Sequence, residues 1–315
     1  MKIVFLEPIE ITNQQAREFV EEFKKSGHEL IIYPDRNEDS QILAQRGADA
    51  DIIVVSNIPI PNTLLESWGK LKYLIAAFSG TDHIDLAYCK SQGIQVSNAA
   101  GYSNESVAEL SVGMCVSLLR DIPAAAAQTR DLKGRNGLMG TELSGKTVGL
   151  IGTGQIGTVA ARIFSGFGCN VLGYNRSQAD GAYWKYANLD EIIETADVIS
   201  LYVPLTDETK GMLGKIEFQR MKSNAILINC ARGLVVDMPA LKIALEEKQI
   251  AGAAFDIYEV EPPLPENHPL LHAPNCLLMP HIAYATHEAM QKRINIVFEN
   301  IQAYLQGNIL REVKN

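Results

Sequence analysis

Short apolar runs rich in β-branched residues recur along the first hundred positions, at 2–6, 29–33, 51–56, 73–78 and 93–97, with polar or helical stretches between them. That rhythm predicts β-α-β units feeding a parallel sheet, so residues 1 to about 97 form a five-stranded unit. The first connection, 13–25, places Ala16, Phe19, Val20 and Phe23 at helical spacing and meets a helix stop at Ser26-Gly27.

From 103 to 130 the pattern is helical, with Val107, Leu110, Met114, Leu118 and Leu119 on an apolar face and Pro123 marking a boundary or kink. A second alternating series follows at 147–151, 170–174, 197–203, 225–230, 252–257 and 276–279, which predicts six more strands in a Rossmann-type sheet. The last helix, about 286–304, opens on Thr286-His287-Glu288 and is predicted to pack back on the first unit. The expected fold class is therefore α/β, with two Rossmann-like or flavodoxin-like doubly wound parallel sheets. No internal sequence repeat or low-complexity tract interrupts them.

Composition narrows the function classes. The 315 residues are 47% hydrophobic and 21% charged, as in soluble globular proteins, and the length predicts two domains with their own cores. With 28 Lys+Arg against 37 Asp+Glu the net charge is −9, which lacks the basic footprint that nucleic-acid binding needs. The five cysteines, Cys89, Cys115, Cys169, Cys230 and Cys276, are scattered without a C-x-x-C pair; they are expected to be buried reduced thiols, and no metal site is expected. The first apolar run is cut by Glu7-Pro8, too short for a signal-peptide core, and no 18-residue apolar stretch follows. A cytoplasmic location without membrane contact is the expectation.

Gly152-Thr153-Gly154-Gln155-Ile156-Gly157 follows a predicted strand and opens the apolar-periodic segment 159–167. This is G-x-G-x-x-G in its strand-turn-helix setting: Gly152 allows the tight turn, Gly154 the close approach of a pyrophosphate, and Gly157 close helix-strand packing. About twenty residues on, where an acidic side chain normally bonds the ribose of NAD, stand Asn175-Arg176-Ser177. The uncharged Asn175 removes repulsion toward a 2′-phosphate, and Arg176 with Ser177 offers charge-assisted hydrogen bonds, which leans toward NADP(H). With Arg176 stacked on the adenine instead, NAD or both cofactors would serve.

The ordered motifs Gly152 to Gly157, Val203-Pro204-Leu205-Thr206, Asn229-Cys230-Ala231-Arg232-Gly233, Asp256, Glu261-Pro262 and Pro280-His281-Ile282 resemble the D-isomer-specific 2-hydroxyacid dehydrogenase family, as do Gly80-Thr81-Asp82 and Val107-Ala108-Glu109 upstream. The resemblance implies a substrate domain from 1–98 plus 283–315, a dinucleotide domain at 99–282, a cleft between them that hinges closed, and dimerisation through the long helix. It places Arg232 on the substrate carboxylate and carbonyl, His281 as the acid/base and Glu261 as its partner. It also puts Val203 and Pro204 near the nicotinamide, the Cys230 and Ala231 backbone against it, and Asp256 on its carboxamide. Ser79 and Gly80 fall in a loop whose N–H groups meet the substrate carboxylate, and Tyr284 lines the substrate side-chain pocket. Ala100, Tyr202 and Met238 depart from a common proline, histidine and acidic residue.

These residue types suit the reduction of a 2-keto acid, which needs a hydride, a proton and a cation. A guanidinium gives a rigid fork for a planar carboxylate, so Arg232 can orient it while polarising the adjacent carbonyl. Imidazole exchanges a proton near neutral pH, and a carboxylate beside it favours the charged ring and fixes its orientation. The expected activity is NAD(P)-dependent oxidoreduction of a small 2-keto or 2-hydroxy acid such as glyoxylate, hydroxypyruvate or pyruvate. Two alternatives stay open. One is a nicotinamide-sensing, co-repressor-like binding protein; the other is a formate- or phosphite-type dehydrogenase, although Glu261 departs from the formate branch's glutamine-histidine arrangement. His28, His83, His268, His272 and His287 show no ligand spacing and carry no assigned chemistry.

Overall fold

The computed structural model describes residues 1–313, and the chain divides into two compact units, Met1–Ser103 with Thr286–Asn315, and Asn104–Ala285. In the first, strands β1 (Lys2–Phe5), β2 (Glu29–Ile32), β3 (Ile52–Val55), β4 (Tyr73–Ala76) and β5 (Gln95–Asn98) alternate with helices α1 (Asn13–Lys25), α2 (Ser40–Gly47), α3 (Asn62–Glu66) and α4 (Leu86–Ser91). All strands pair in parallel, in the order β2-β1-β3-β4-β5, a flavodoxin-like winding. Helices cover both faces of such a sheet, so β1, β3 and β4 read as unbroken apolar runs, and Ile3, Val4, Phe5, Ile52 to Val55 and Leu74 to Ala76 are fully buried. Helix α1 spans the predicted residues because both ends are marked. Thr12 and Gln15 close a capping box, and Gly27 takes a φ of 78° just past the cap.

The second unit opens with α5 (Asn104–Arg120) and α6 (Ile122–Arg130), which are bent 59° at Asp121, as Pro123 foretells. Proline has no N–H for the Leu119 carbonyl one turn back, and that carbonyl accepts from Thr141 N–H instead, at 2.8 Å. Strands β6 (Thr147–Ile151), β7 (Asn170–Tyr174), β8 (Lys185–Tyr186), β9 (Val198–Leu201), β10 (Ile226–Asn229), β11 (Gly252–Phe255) and β12 (Cys276–Leu278) follow, interleaved with α7 (Gln155–Gly166), α8 (Leu189–Thr195), α9 (Lys215–Arg220) and α10 (Met238–Glu246). Their order is β12-β11-β10-β9-β6-β7-β8, all parallel, with the direction of winding reversing between β9 and β6. The two-residue strand β8 extends the sheet to seven strands, one beyond the expected six, because Lys185 and Tyr186 pair with Leu172 and Gly173 without any apolar alternation of their own. Ala108, Val112, Met114 and Cys115 of α5 pack on Ala160, Ala161 and Phe164 of α7 over the sheet, Val107 is buried as well, and Leu110, Leu118 and Leu119 pack partly covered against the same core, so the expectation that the apolar stripe of the long helix is left for a second copy is corrected.

The last helix, α11 (His287–Leu305), is capped by Thr286 and belongs to the first unit. Its Phe298 stacks with Phe5 and Phe19 and meets Phe23 at a tilt, and its Tyr304 stacks with Tyr73; removing a buried aromatic such as Phe298 costs about 3–5 kcal/mol. Among the described residues no single helix is long and apolar enough to cross a membrane. The expectation of uniformly buried thiols is corrected. Cys89 and Cys115 are buried, whereas Cys169, Cys230 and Cys276 lie at strand or helix ends and are only partly covered. All five are free, and burial pushes the Cys89 thiol up to about 11 and that of Cys115 up to about 12.

Candidate active site

The carboxyl ends of β6, β9, β10, β11 and β12 carry the candidate residues, the edge at which open α/β sheets bind ligands. After β6, Gly152 takes φ 102°, and a Cβ there would stand 2.7 Å from the Tyr202 carbonyl carbon and oxygen. A Cβ on Gly157 would lie 2.1 Å from the Gly152 oxygen. Gly154, by contrast, faces open space, and as the cap of α7 it offers no side-chain acceptor to the helix's first N–H groups. Two glycines thus close the turn while the third leaves a cradle of unshielded N–H groups at the positive end of a helix. The loop fits a dinucleotide pyrophosphate. Gln155 accepts from Asn104 at 3.1 Å, and Ile156 packs into the core beneath.

Beyond β7, the Asn175 amide donates to the Thr153 hydroxyl, and the Ser177 hydroxyl donates to Asn175. Both side chains are thereby tied to the glycine loop. Arg176 beside them is exposed and makes no ion pair among the described residues. Val203 and Pro204 follow β9, with Val203 against the core and the Pro204 carbonyl held by the Thr209 hydroxyl at 2.7 Å. The Tyr202 hydroxyl accepts from Ser200 at 2.9 Å.

Asn229, fully buried at the end of β10, builds the next turn: its Oδ1 accepts Ala231 N–H at 2.9 Å and its amide donates to the Arg232 carbonyl at 3.0 Å. Cys230 and Ala231 are thereby fixed in backbone, and the half-buried Arg232 donates through one guanidinium nitrogen to the Ala231 carbonyl at 2.8 Å. At Gly233 a Cβ would lie 2.0 Å from the Tyr258 carbonyl carbon. Only glycine lets the Arg232 turn touch the peptide of the loop that carries Glu261.

His281, beyond β12, holds φ at 58°, left-handed for a residue with a Cβ. Its Nδ1 lies 2.8 Å from Glu261 Oε2, with the histidine ring 29% exposed and the glutamate 64%. The Tyr284 ring meets the imidazole edge-on at 5.4 Å. Asp256, 1% exposed, accepts Ile282 N–H on one oxygen and Ala283 N–H on the other, both at 2.8 Å. Burial pushes its carboxyl up, against the opposing pull of those two N–H groups. Asp256 therefore clamps the backbone just after His281, a role that motif comparison did not suggest.

His268 was also left without chemistry by the sequence. It is buried in the Glu261 loop and pairs with Glu259, and its one sequence signal is its place as a cap before Pro269. In the first unit, Ser79 and Gly80 follow β4, where Asn98 donates to the Ser79 carbonyl at 2.7 Å and the buried Arg293 lies over the Phe78 ring at 4.7 Å.

The pattern of the D-isomer specific 2-hydroxyacid dehydrogenase, NAD binding domain, matches residues 112–283. D-3-phosphoglycerate dehydrogenase of Methanocaldococcus jannaschii is 38% identical over 280 residues, 87% of this chain and 53% of that protein, so the chain spans about half the length of that relative. Glyoxylate reductase of Korarchaeum cryptofilum is 34% identical over 292 residues, 89% of this chain and 88% of that protein. Among solved structures, an acyclic imino acid reductase in complex with NADPH and D-Arg superposes with a TM-score of 0.91 at 28% identity, over all of both chains. The paired His281 and Glu261, the open glycine cradle and these likenesses agree: the chain belongs to the D-isomer specific 2-hydroxyacid dehydrogenase family, whose members are NAD-dependent oxidoreductases acting on CH–OH donors.

Proposed function

We propose that this protein reduces small 2-keto acids to D-2-hydroxy acids, with Arg232, Glu261 and His281 as its catalytic residues. The observation that carries the proposal is the 2.8 Å pair between His281 Nδ1 and Glu261, on the same sheet edge as the glycine cradle. When bound, the nicotinamide supplies the hydride to the carbonyl carbon. His281, anchored through Nδ1, has Nε2 left to give the proton to the carbonyl oxygen, and Glu261 stabilises the charged ring before transfer. Arg232 holds the carboxylate and polarises the carbonyl. Ser79 and Gly80 are assigned to the substrate carboxylate, Tyr284 to the substrate side chain, and Cys230, Ala231, Val203, Pro204 and Asp256 to the nicotinamide.

Absorbance of the reduced nicotinamide should fall with NADPH or NADH in the presence of glyoxylate, hydroxypyruvate, pyruvate, 2-ketoisocaproate or phenylpyruvate. The same acids with ammonium test for the imine chemistry of the imino acid reductase. His281→Asn should lower turnover at least about 100-fold while cofactor still binds; a loss below about tenfold sinks the assignment. Dinucleotide binding without turnover of any oxo or imino acid would instead favour a sensing role.

The exposed Arg176 supports NADPH as the preferred cofactor. A second copy is proposed as the partner. Helix α6 buries none of its residues although it carries Ile122, Pro123 and four alanines, and Leu132 and Met139 beyond it are 95% and 86% exposed. Sedimentation should give a dimer, and a monomer at micromolar concentration refutes it. The free, protonated thiols accord with the reducing cytoplasm proposed as its location.

A further inference from the structure

The loop that carries Glu261 is anchored by groups that touch no reacting atom. The His268 side chain in it is 1% exposed, and its neighbours settle the position of its proton. Nδ1 accepts Leu270 N–H at 3.3 Å, so Nε2 carries the hydrogen and donates it to Glu259 at 3.2 Å. The ring also meets Tyr258 edge-on at 5.6 Å. The Tyr258 hydroxyl in turn donates to the Met279 carbonyl at 2.8 Å, two residues before His281. On its other side the Tyr258–Glu259 peptide lies against Gly233 and has no room to sink.

One buried ring therefore meets three demands: an acceptor for the first N–H of the 3-10 turn Pro269–His272, a donor aimed the other way at Glu259, and an aromatic partner for the perpendicular Tyr258 ring. A residue that only capped the turn would need the first alone. Glu259 is itself 30% exposed, so water would satisfy it without help. What the bond to Glu259 does is fix the backbone two residues before Glu261, whose own carboxylate is 64% exposed.

We propose that His268 is a positioning residue: by gripping Glu259 and bracing Tyr258 it holds Glu261 against Nδ1 of His281. This rests on the assignment of Glu261 and His281 as the acid-base pair.

Two substitutions separate the halves of the role. His268→Asn keeps an acceptor for Leu270 N–H and so keeps the cap, but it has no donor that reaches Glu259. His268→Gln carries an amide N–H out to the position of Nε2. His268→Asn should lower kcat at least about tenfold, with cofactor affinity unchanged, and His268→Gln should restore most of it. Glu259→Ala, an exposed change that spares the fold, should cause the same loss, and joining it to His268→Asn should add nothing further.

A second readout is independent of turnover. The proton on His281 Nδ1, bonded to Glu261, should give a downfield imidazole resonance that is absent from His281→Asn. It should weaken or vanish in His268→Asn and in Glu259→Ala, and return in His268→Gln. Folded His268→Asn and Glu259→Ala proteins with kcat within about twofold of the parent and the resonance intact would overturn the proposal, as would losses that add in the double variant. If the parent protein turned over no oxo acid, the assigned chemistry would fall, and the resonance would still decide whether His268 holds Glu261.

Discussion

Replacing Gly233 by alanine tests whether the Arg232 turn and the Glu261 loop are one mechanical unit. An added Cβ would stand 2.0 Å from the Tyr258 carbonyl carbon, 2.2 Å from its oxygen and 2.4 Å from the Glu259 nitrogen. All three are backbone atoms, so no side chain can rotate aside, and one of the two segments must retreat by roughly 1 Å or more to reach ordinary carbon contact. Overpacking of this kind costs about 1–3 kcal/mol of stability. The Tyr258 side is pinned by its hydroxyl, which donates to the Met279 carbonyl, and by the His268–Glu259 bond. The Arg232 side is pinned by Asn229. Whichever yields, Arg232 or Glu261 leaves its place, and a misplacement near 1 Å costs about 100-fold in rate. Gly233→Ala should therefore stay folded by circular dichroism, bind cofactor within about tenfold of the parent, since the glycine loop lies across β9 on β6, and lose about 100-fold in kcat/KM for the proposed 2-keto acid substrate. A folded Gly233→Ala protein with kcat/KM within about threefold would refute the coupling, because the two segments would then have separated without consequence.

The glycine loop supplies a paired test. Gly154→Ala, facing open space at φ −69°, should leave the melting temperature unchanged and lower cofactor affinity about tenfold or more in a fluorescence titration, whereas Gly157→Ala, whose Cβ would lie 2.1 Å from the Gly152 oxygen, should lose both. Unchanged affinity in Gly154→Ala would remove the pyrophosphate from this cradle. Arg176→Ala should lower kcat/KM with NADPH about tenfold and leave NADH within about twofold, as expected for one charged hydrogen bond; an equal loss with both would point to adenine stacking. Acid stability should report His83. Burial, with Arg36 adding to it and Asp82 opposing, brings this histidine down to about 4 from an ordinary 6.5, and its Nε2 has no hydrogen-bond partner among the described residues. The unfolded chain then takes up a proton below pH 6.5 that the folded one refuses until about 4. Stability is complete above 6.5 and falls by about 3 kcal/mol across that window. His83→Phe should flatten the decline in urea midpoints between pH 6.5 and 4, and an unchanged slope would mean that the ring does not remain neutral when folded.

What was legible in the sequence was whatever the chain states locally. Helix α1 could be bounded because Thr12, Gln15 and Gly27 mark its ends within a few residues, and the bend between α5 and α6 because proline removes one specific donor. The same locality made the site's turns recognisable: Gly152 to Gly157 is a single loop, and Asn229 bonds within its own motif to Ala231 and Arg232. Strand β8 escaped because two residues have no periodicity to show, and its existence depends on register against β7.

The supporting contacts escaped for a deeper reason. Asp256 reaches Ile282 and Ala283 across 26 and 27 positions, Tyr258 reaches Met279 across 21, and Gly233 meets Tyr258 with no motif joining them. A motif names the residue that a reaction requires, since the chemistry limits the choice to few side chains. A support is chosen by distance and direction, which several residue types can satisfy, so its identity becomes meaningful only when the neighbour is known. Asp256 shows the difference. Its place after an apolar strand suited a ligand contact, and the structure adds a second task that no local pattern announces: both its oxygens hold the backbone beside His281, which sits at φ 58° and so relies on its surroundings to keep that conformation. The order of dependence in this site therefore runs opposite to the order of discovery: the turn at Arg232 limits where the Glu261 loop can lie, that loop fixes the imidazole, and the recognisable histidine comes last.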